Sequence, residues 1–156
     1  MDERVVVDAS VWISRLTPQD VNYSASSLWA THFTSKGGLL VVPKFLLIEV
    51  AGAISRLTGD SAVAKKIVAN ISKDKAMNFV SLNSMLVKNA IDIAATFKLR
   101  GSDAIYVALA HQRNIPLVSW DKEQLKRASG VLTATHTPDA YPFEEDTEEV
   151  KNNDHG

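Results

Sequence analysis

Apolar residues along this chain fall into short unbroken runs separated by longer stretches of helical spacing. Val5-Val6-Val7 is one such run, ending on Asp8, and Leu39-Leu40-Val41-Val42 is another, stopped by Pro43. Runs this short, rich in Val and Leu and without polar alternation, predict strands buried on both faces, as in a parallel sheet. Residues 78–82 and 117–119 predict two more strands, and 131–134 a last one at an edge. Helical patterns cover 24–35, 44–57, 60–72, 83–98 and 102–113. In 83–98 the apolar stripe is Leu86, Ala90, Ile93, Ala94 and Phe97, the spacing of one helix face. A short helical segment at 9–13 has Ser10 as its expected cap, and a further helix opens at Asp121, where Gln124 completes capping-box spacing. Gly37-Gly38, Thr58-Gly59 and Arg100-Gly101 punctuate the pattern. Strands alternating with helices predict an α/β sandwich with a largely parallel sheet.

Four acids break the apolar pattern at its edges. Asp8 closes the first strand, where residues just past a strand's carboxyl end face the binding crevice of an open α/β sheet. Glu49 is the only charge between Phe45 and Ser55. Its neighbours one turn away are apolar or small, so a carboxylate there needs a cation or a donor. Asp103 lies in the first turn of the 102–113 helix, a position that the helix dipole favours for an anion in any case. Asp121 follows the 117–119 strand, and capping alone would also account for it. Together the four suggest one acidic site assembled from distant segments.

Composition narrows the chemistry. The 156 residues suit one domain with a substantial core. There is no cysteine, which excludes disulfides and thiolate metal sites. The start Met-Asp-Glu-Arg lacks a signal-peptide pattern, and no apolar run approaches bilayer-spanning length, so a cytoplasmic protein without a membrane role is expected. The net charge of −1 divides into −5 over residues 143–156 and +4 over the rest. The expected organisation is a domain over 1–141 and a disordered acidic tail over 142–156. A basic body around an acidic pocket suits a polyanionic substrate, although scattered lysines also serve solubility. No Gly-rich phosphate loop and no G-x-S-x-G is present, and His32, His111, His136 and His155 lack metal-ligand spacing. An all-carboxylate pocket would select a hard cation, Mg²⁺ or Mn²⁺.

Those acids stand in extended motifs. Asp8 in V-V-V-D-A-S-V, Glu49 in P-x-x-L-L-I-E-V, Asp103 in L-x-x-S-D-A-I-Y-V-A-L-A and Asp121 in P-L-V-S-W-D-K-E-Q-L resemble the PIN-domain nucleases, above all the VapC-type toxins of toxin–antitoxin pairs. The likeness runs over about residues 4–134. It implies a three-layer α/β/α sandwich and metal-dependent endonucleolytic cleavage of RNA. Asp8, Glu49, Asp103 and Asp121 would be the catalytic and metal-holding acids, with Ser10 and Ser119 orienting them. Where many relatives carry a further acid after the last motif, this chain has Lys122, Glu123 and Lys126, which leaves one or two metal ions open. The resemblance further implies an antitoxin partner and a homodimer. Trp12, Leu28, Trp29 and Phe33 are candidates for the dimer contact, or equally for the core. Two other readings stand beside the toxin: a PIN nuclease of RNA processing, and a catalytically silent RNA-binding protein.

Overall fold

The structure is a computed structural model and describes residues 3–144; the acidic residues 145–156 lie outside the described part. Five strands, β1 (Arg4–Val7), β2 (Leu39–Pro43), β3 (Met77–Val80), β4 (Leu117–Val118) and β5 (Thr135–His136), form one sheet in the order β3-β2-β1-β4-β5. Every pairing is parallel. The three valines of β1 have essentially no exposed surface, as a central strand covered on both faces requires.

Seven helices connect the strands: α1 (Ala9–Arg15), α2 (Tyr23–Ser35), α3 (Phe45–Thr58), α4 (Ser61–Ile71), α5 (Ser84–Phe97), α6 (Gly101–Arg113) and α7 (Lys122–Ala128). The chain steps from β1 outward through β2 to β3, then crosses back to β4 and β5 on the other side of β1. Right-handed crossovers therefore lay α1–α4 on one face and α5–α7 on the other, the expected three-layer sandwich. The direction reverses at β1, and the crevice above the carboxyl ends of β1 and β4 is where such sheets place ligands.

The helices begin and end largely where their sequence signals stand. Asp60 and Asn83 cap α4 and α5 by accepting amide hydrogens of the first turn. Gly37 takes a left-handed φ of 85° after α2, and a Cβ on Gly38 would collide with the Phe33 ring and carbonyl, so the turn into β2 needs both glycines.

Two details differ from what the sequence predicts, and a third decides between alternatives that the sequence leaves open. First, α1 is capped by Asp8 rather than Ser10, the Asp8 Oδ2 accepting from Ser10 N at 3.0 Å. Second, 131–134 is not a strand. The amides of Val131 and Leu132 both donate to Ala128 O, at 3.0 and 2.8 Å, so they finish α7 and cannot enter a ladder until β5. Third, Trp12, Trp29 and Phe33 belong to the core, and of the four dimer candidates only Leu28 is exposed, at 72%. Trp29 stacks on Phe33 with centroids 5.4 Å apart, and Tyr141 packs edge-on against both. Tyr141 also hydrogen-bonds the Glu3 carboxylate, and Phe143 meets His32 edge-on at 4.3 Å. No described helix is long and apolar enough to cross a membrane.

Candidate active site

The parallel register brings the ends of β1 and β4 side by side. Asp8 N donates to Val118 O at 3.0 Å, which sets Asp8 beside Ser119. Asp8 is 6% exposed and Ser119 fully buried. Just beyond, Asp121 caps α7 by accepting from Gln124 N at 3.0 Å. Asp103 stands in the first turn of α6, where no side chain caps the helix. Glu49 comes from α3 and is half-buried.

The acids act on one another's charge in overlapping sets, Asp8 and Asp121 on Asp103, and Asp8 and Asp103 on Glu49. Asp103 is pushed up to about 6, first by burial and then by the charges of Asp8 and Asp121, while Arg100 opposes them. Glu49 is likewise raised, first by burial, then by Asp8 and Asp103, against the hydrogen bond from Tyr106. That bond runs from the Tyr106 hydroxyl to Glu49 Oε1 at 2.7 Å. Tyr106 has no exposed surface, and its ionisation is pushed far up by burial and by the same acids. It therefore stays a neutral donor. Unneutralised carboxylates packed this way raise one another's proton affinity, and a cation among them would reverse that.

Ser10 and Ser119, the two predicted orienting residues, meet Oγ to Oγ at 3.3 Å. Ser10 Oγ also accepts from Trp120 N at 3.1 Å, and Ser119 Oγ from Asp121 N at 3.0 Å. The Trp120 indole donates to Ser26 Oγ at 2.7 Å, which pins the loop after β4 to α2. Two residues of the site do not stand out as such in the sequence. Tyr106 lies three residues after Asp103, on the same side of α6, and is the one hydroxyl in an apolar stretch. Gln124 is 1% exposed, and its spacing from Asp121 marks it only as half of a capping box. Its side chain does not return to Asp121 N. It turns inward, Nε2 donating to Asp8 Oδ1 at 3.2 Å and Oε1 accepting from Ser119 Oγ at 2.7 Å. The inward stripe it shares with Ala128, four residues on, is the available signal. Glu123, by contrast, is exposed and paired with Arg127 at 2.6 Å.

The sequence model of the PIN domain matches residues 5–131. The chain belongs to the PIN domain family. No curated protein sequence matches it, but solved structures share the PIN fold across their whole length. The Mycobacterium tuberculosis toxin VapC20, described as cleaving the sarcin–ricin loop, aligns with a TM-score of 0.69 at 19% identity, over 88% of this chain and 99% of its own. FitAcB from Neisseria gonorrhoeae aligns at 0.66 and 13%, over 86% and 97%. VapBC2 from Rickettsia felis, solved on a fragment of its promoter DNA, aligns at 0.63 and 9%, over 85% and 98%. At these identities the likeness establishes the fold. Family membership supports a hydrolase acting on nucleic acids.

Within this PIN domain, the donor set is a fair match for a hard divalent cation. Among the described residues no three acidic or histidine side chains form a ready-made cage. Mg²⁺ needs none, since it keeps several waters and takes one or two carboxylates. All the candidate ligands are oxygens, and the charge of Asp8, which adds to burial in raising both Asp103 and Glu49, is one that a cation nearby would offset.

Proposed function

We propose that this PIN domain is a metal-dependent endoribonuclease, the toxin of a toxin–antitoxin pair, which hydrolyses RNA phosphodiester bonds at the site of Asp8, Glu49, Asp103 and Asp121. The observation that supports the reading most is Asp8 at the reversal point of a parallel sheet, with acids from three other segments coupled to it or to one another by charge. Mg²⁺ or Mn²⁺ held by Asp8 and Asp103, with Asp121 and Glu49 alongside, would supply a nucleophilic hydroxide and offset charge on the phosphoryl oxygens. The chain's own groups do the rest. Asp8 is fixed by two hydrogen bonds, one to each carboxylate oxygen, and each oxygen has a further lone pair with which it could bind a cation. Glu49, steadied by Tyr106, is half-open and suits acceptance of a proton from the attacking water. Arg100, near enough to oppose the raising of Asp103, adds positive charge where a phosphate would approach. An antitoxin partner belongs to the same reading, supported by the toxin–antitoxin assemblies among the structures of like fold, and a homodimer is proposed with it.

Incubating the purified chain with RNA in Mn²⁺ or Mg²⁺ tests it. Cleavage that stops in EDTA, and in Asp8→Asn without loss of folding, is the expected result; asparagine keeps the α1 cap. Undiminished cleavage in excess EDTA would overturn it.

A further inference from the structure

Gln124 is the buried polar side chain whose role the acids alone do not explain. Its amide makes three contacts with three different segments. Nε2 donates to Asp8 Oδ1 at 3.2 Å, beyond β1, and to the Asp103 carbonyl at 3.4 Å, in the first turn of α6. Oε1 accepts from Ser119 Oγ at 2.7 Å, beyond β4. The chemistry fixes which end of the amide points where. A carboxylate and a carbonyl can only accept, so both require the NH₂, whose two hydrogens they use. Ser119 Oγ already accepts from Asp121 N and has its single hydrogen free for Oε1. Turned the other way, the amide would set its oxygen against two acceptors.

A buried amide joined to two acid-bearing segments controls the gap between them. We propose that Gln124 is a positioning residue of the acidic site: it holds the Asp8 carboxylate against the first turn of α6 and so sets the space in which a divalent cation is bound. A neutral amide suits this post. It donates to Asp8 without adding another negative charge, which a carboxylate there would do. Its own backbone amide caps onto Asp121, so one residue ties Asp8, Asp103 and Asp121 into a single frame. Hydrogen bonds behind metal-binding carboxylates are worth on the order of 10- to 100-fold in metal affinity.

This inference rests on the metal-dependent reading above. The test follows the melting temperature of the full chain as Mn²⁺ is titrated, alongside RNA cleavage. Gln124→Met keeps the volume and loses all three contacts. Half-maximal stabilisation should then need roughly 10-fold more Mn²⁺ or beyond, cleavage should fall at limiting Mn²⁺, and the KM for RNA should hold. Gln124→Asn retains the amide one methylene short and should shift the Mn²⁺ midpoint in the same direction, by less. It decides the matter if the Met variant does not fold. A midpoint unchanged in the folded variant, with a parent chain that Mn²⁺ does stabilise, overturns the positioning role alone. A parent chain that Mn²⁺ neither stabilises nor activates overturns this role together with the metal-dependent reading.

Discussion

Asp103 holds its proton up to about pH 6 in the folded chain, against 3.8 for an ordinary aspartate. Between those values the folded state binds more protons than the unfolded one. Stability of the metal-free protein therefore falls as pH rises through that window, the reverse of a salt-bridged aspartate. Asp103→Asn removes the charge. At pH 7.5 without metal it should raise the melting temperature by roughly 2–4 °C, or about 1 kcal/mol once solvent screening of the half-buried carboxylate is allowed for. Near pH 4 the gain should vanish, because Asp103 is then largely protonated in the folded parent as well. In saturating Mn²⁺ the same substitution should lower the melting temperature relative to the parent, since a ligand is lost. Thermal melts at the two pH values, with and without Mn²⁺, check all three outcomes. A stabilising substitution at a buried acid is what a site under electrostatic strain gives, and a carboxylate that merely decorates a helix N-terminus does not.

The elements show the same division between structure and chemistry, most clearly at the caps. Asp8, Asp60 and Asp121 all cap helices through a carboxylate oxygen, yet Asp60 stands exposed and takes no part in the acid cluster. Asp121→Asn should preserve α7, because asparagine caps as well as aspartate, while cutting RNA cleavage by at least about tenfold, as the loss of a carboxylate beside a bound metal ion does. Asp121→Ala should lose the cleavage and about 1 kcal/mol of stability as well. Chemical unfolding of the two variants beside a cleavage assay separates the roles; equal stability loss in both would make Asp121 important for more than its cap geometry. This double use limits what a sequence discloses. Asp8 was legible because an acid that ends a run of buried valines stands at the mouth of a sheet, and Glu49 because a lone charge on an apolar helix face demands a partner. The strands and helices followed from the same periodicities. Gln124 was hidden by its agreement with a capping rule, half of which it obeys through its backbone, while its side chain serves another site. Tyr106 was hidden among apolar neighbours with which its ring belongs. The strand expected at 131–134 failed because hydrogen bonds at the end of α7 take the amides that a ladder would use. Trp12, Trp29 and Phe33 could have faced either way by pattern; contacts from Tyr141 and β2 decide for the core at Trp29 and Phe33, and the packing of α1 on α2 and α3 accompanies the burial of Trp12.

For the molecule as a whole, charge is distributed along the chain in a way that bears on a polyanionic substrate. Residues 145–156 carry Glu145, Asp146, Glu148, Glu149 and Asp154 against Lys151, a net −4, so the chain without them is +3. The described structure shows where a truncation would be costly. Tyr141 and Phe143 pack on the aromatic cluster of α2, so a cut before Phe143 would remove part of the core, whereas a cut after Glu144 leaves those contacts in place. A chain ending at Glu144 should melt within about 1 °C of the full chain, as surface changes do. It should also bind RNA more tightly, because moving net charge from −1 to +3 strengthens attraction for phosphates. The gain should be a few-fold near about 50 mM salt and should fade by about 300 mM, where the screening length is well under about 10 Å. Binding is best followed with Asp8→Asn in both chains, so that the RNA survives the measurement. If the two chains bind RNA equally at low salt, the acidic residues have no bearing on substrate. If the gain persists undiminished at high salt, the effect is a direct contact and not the long-range field that the charge count implies.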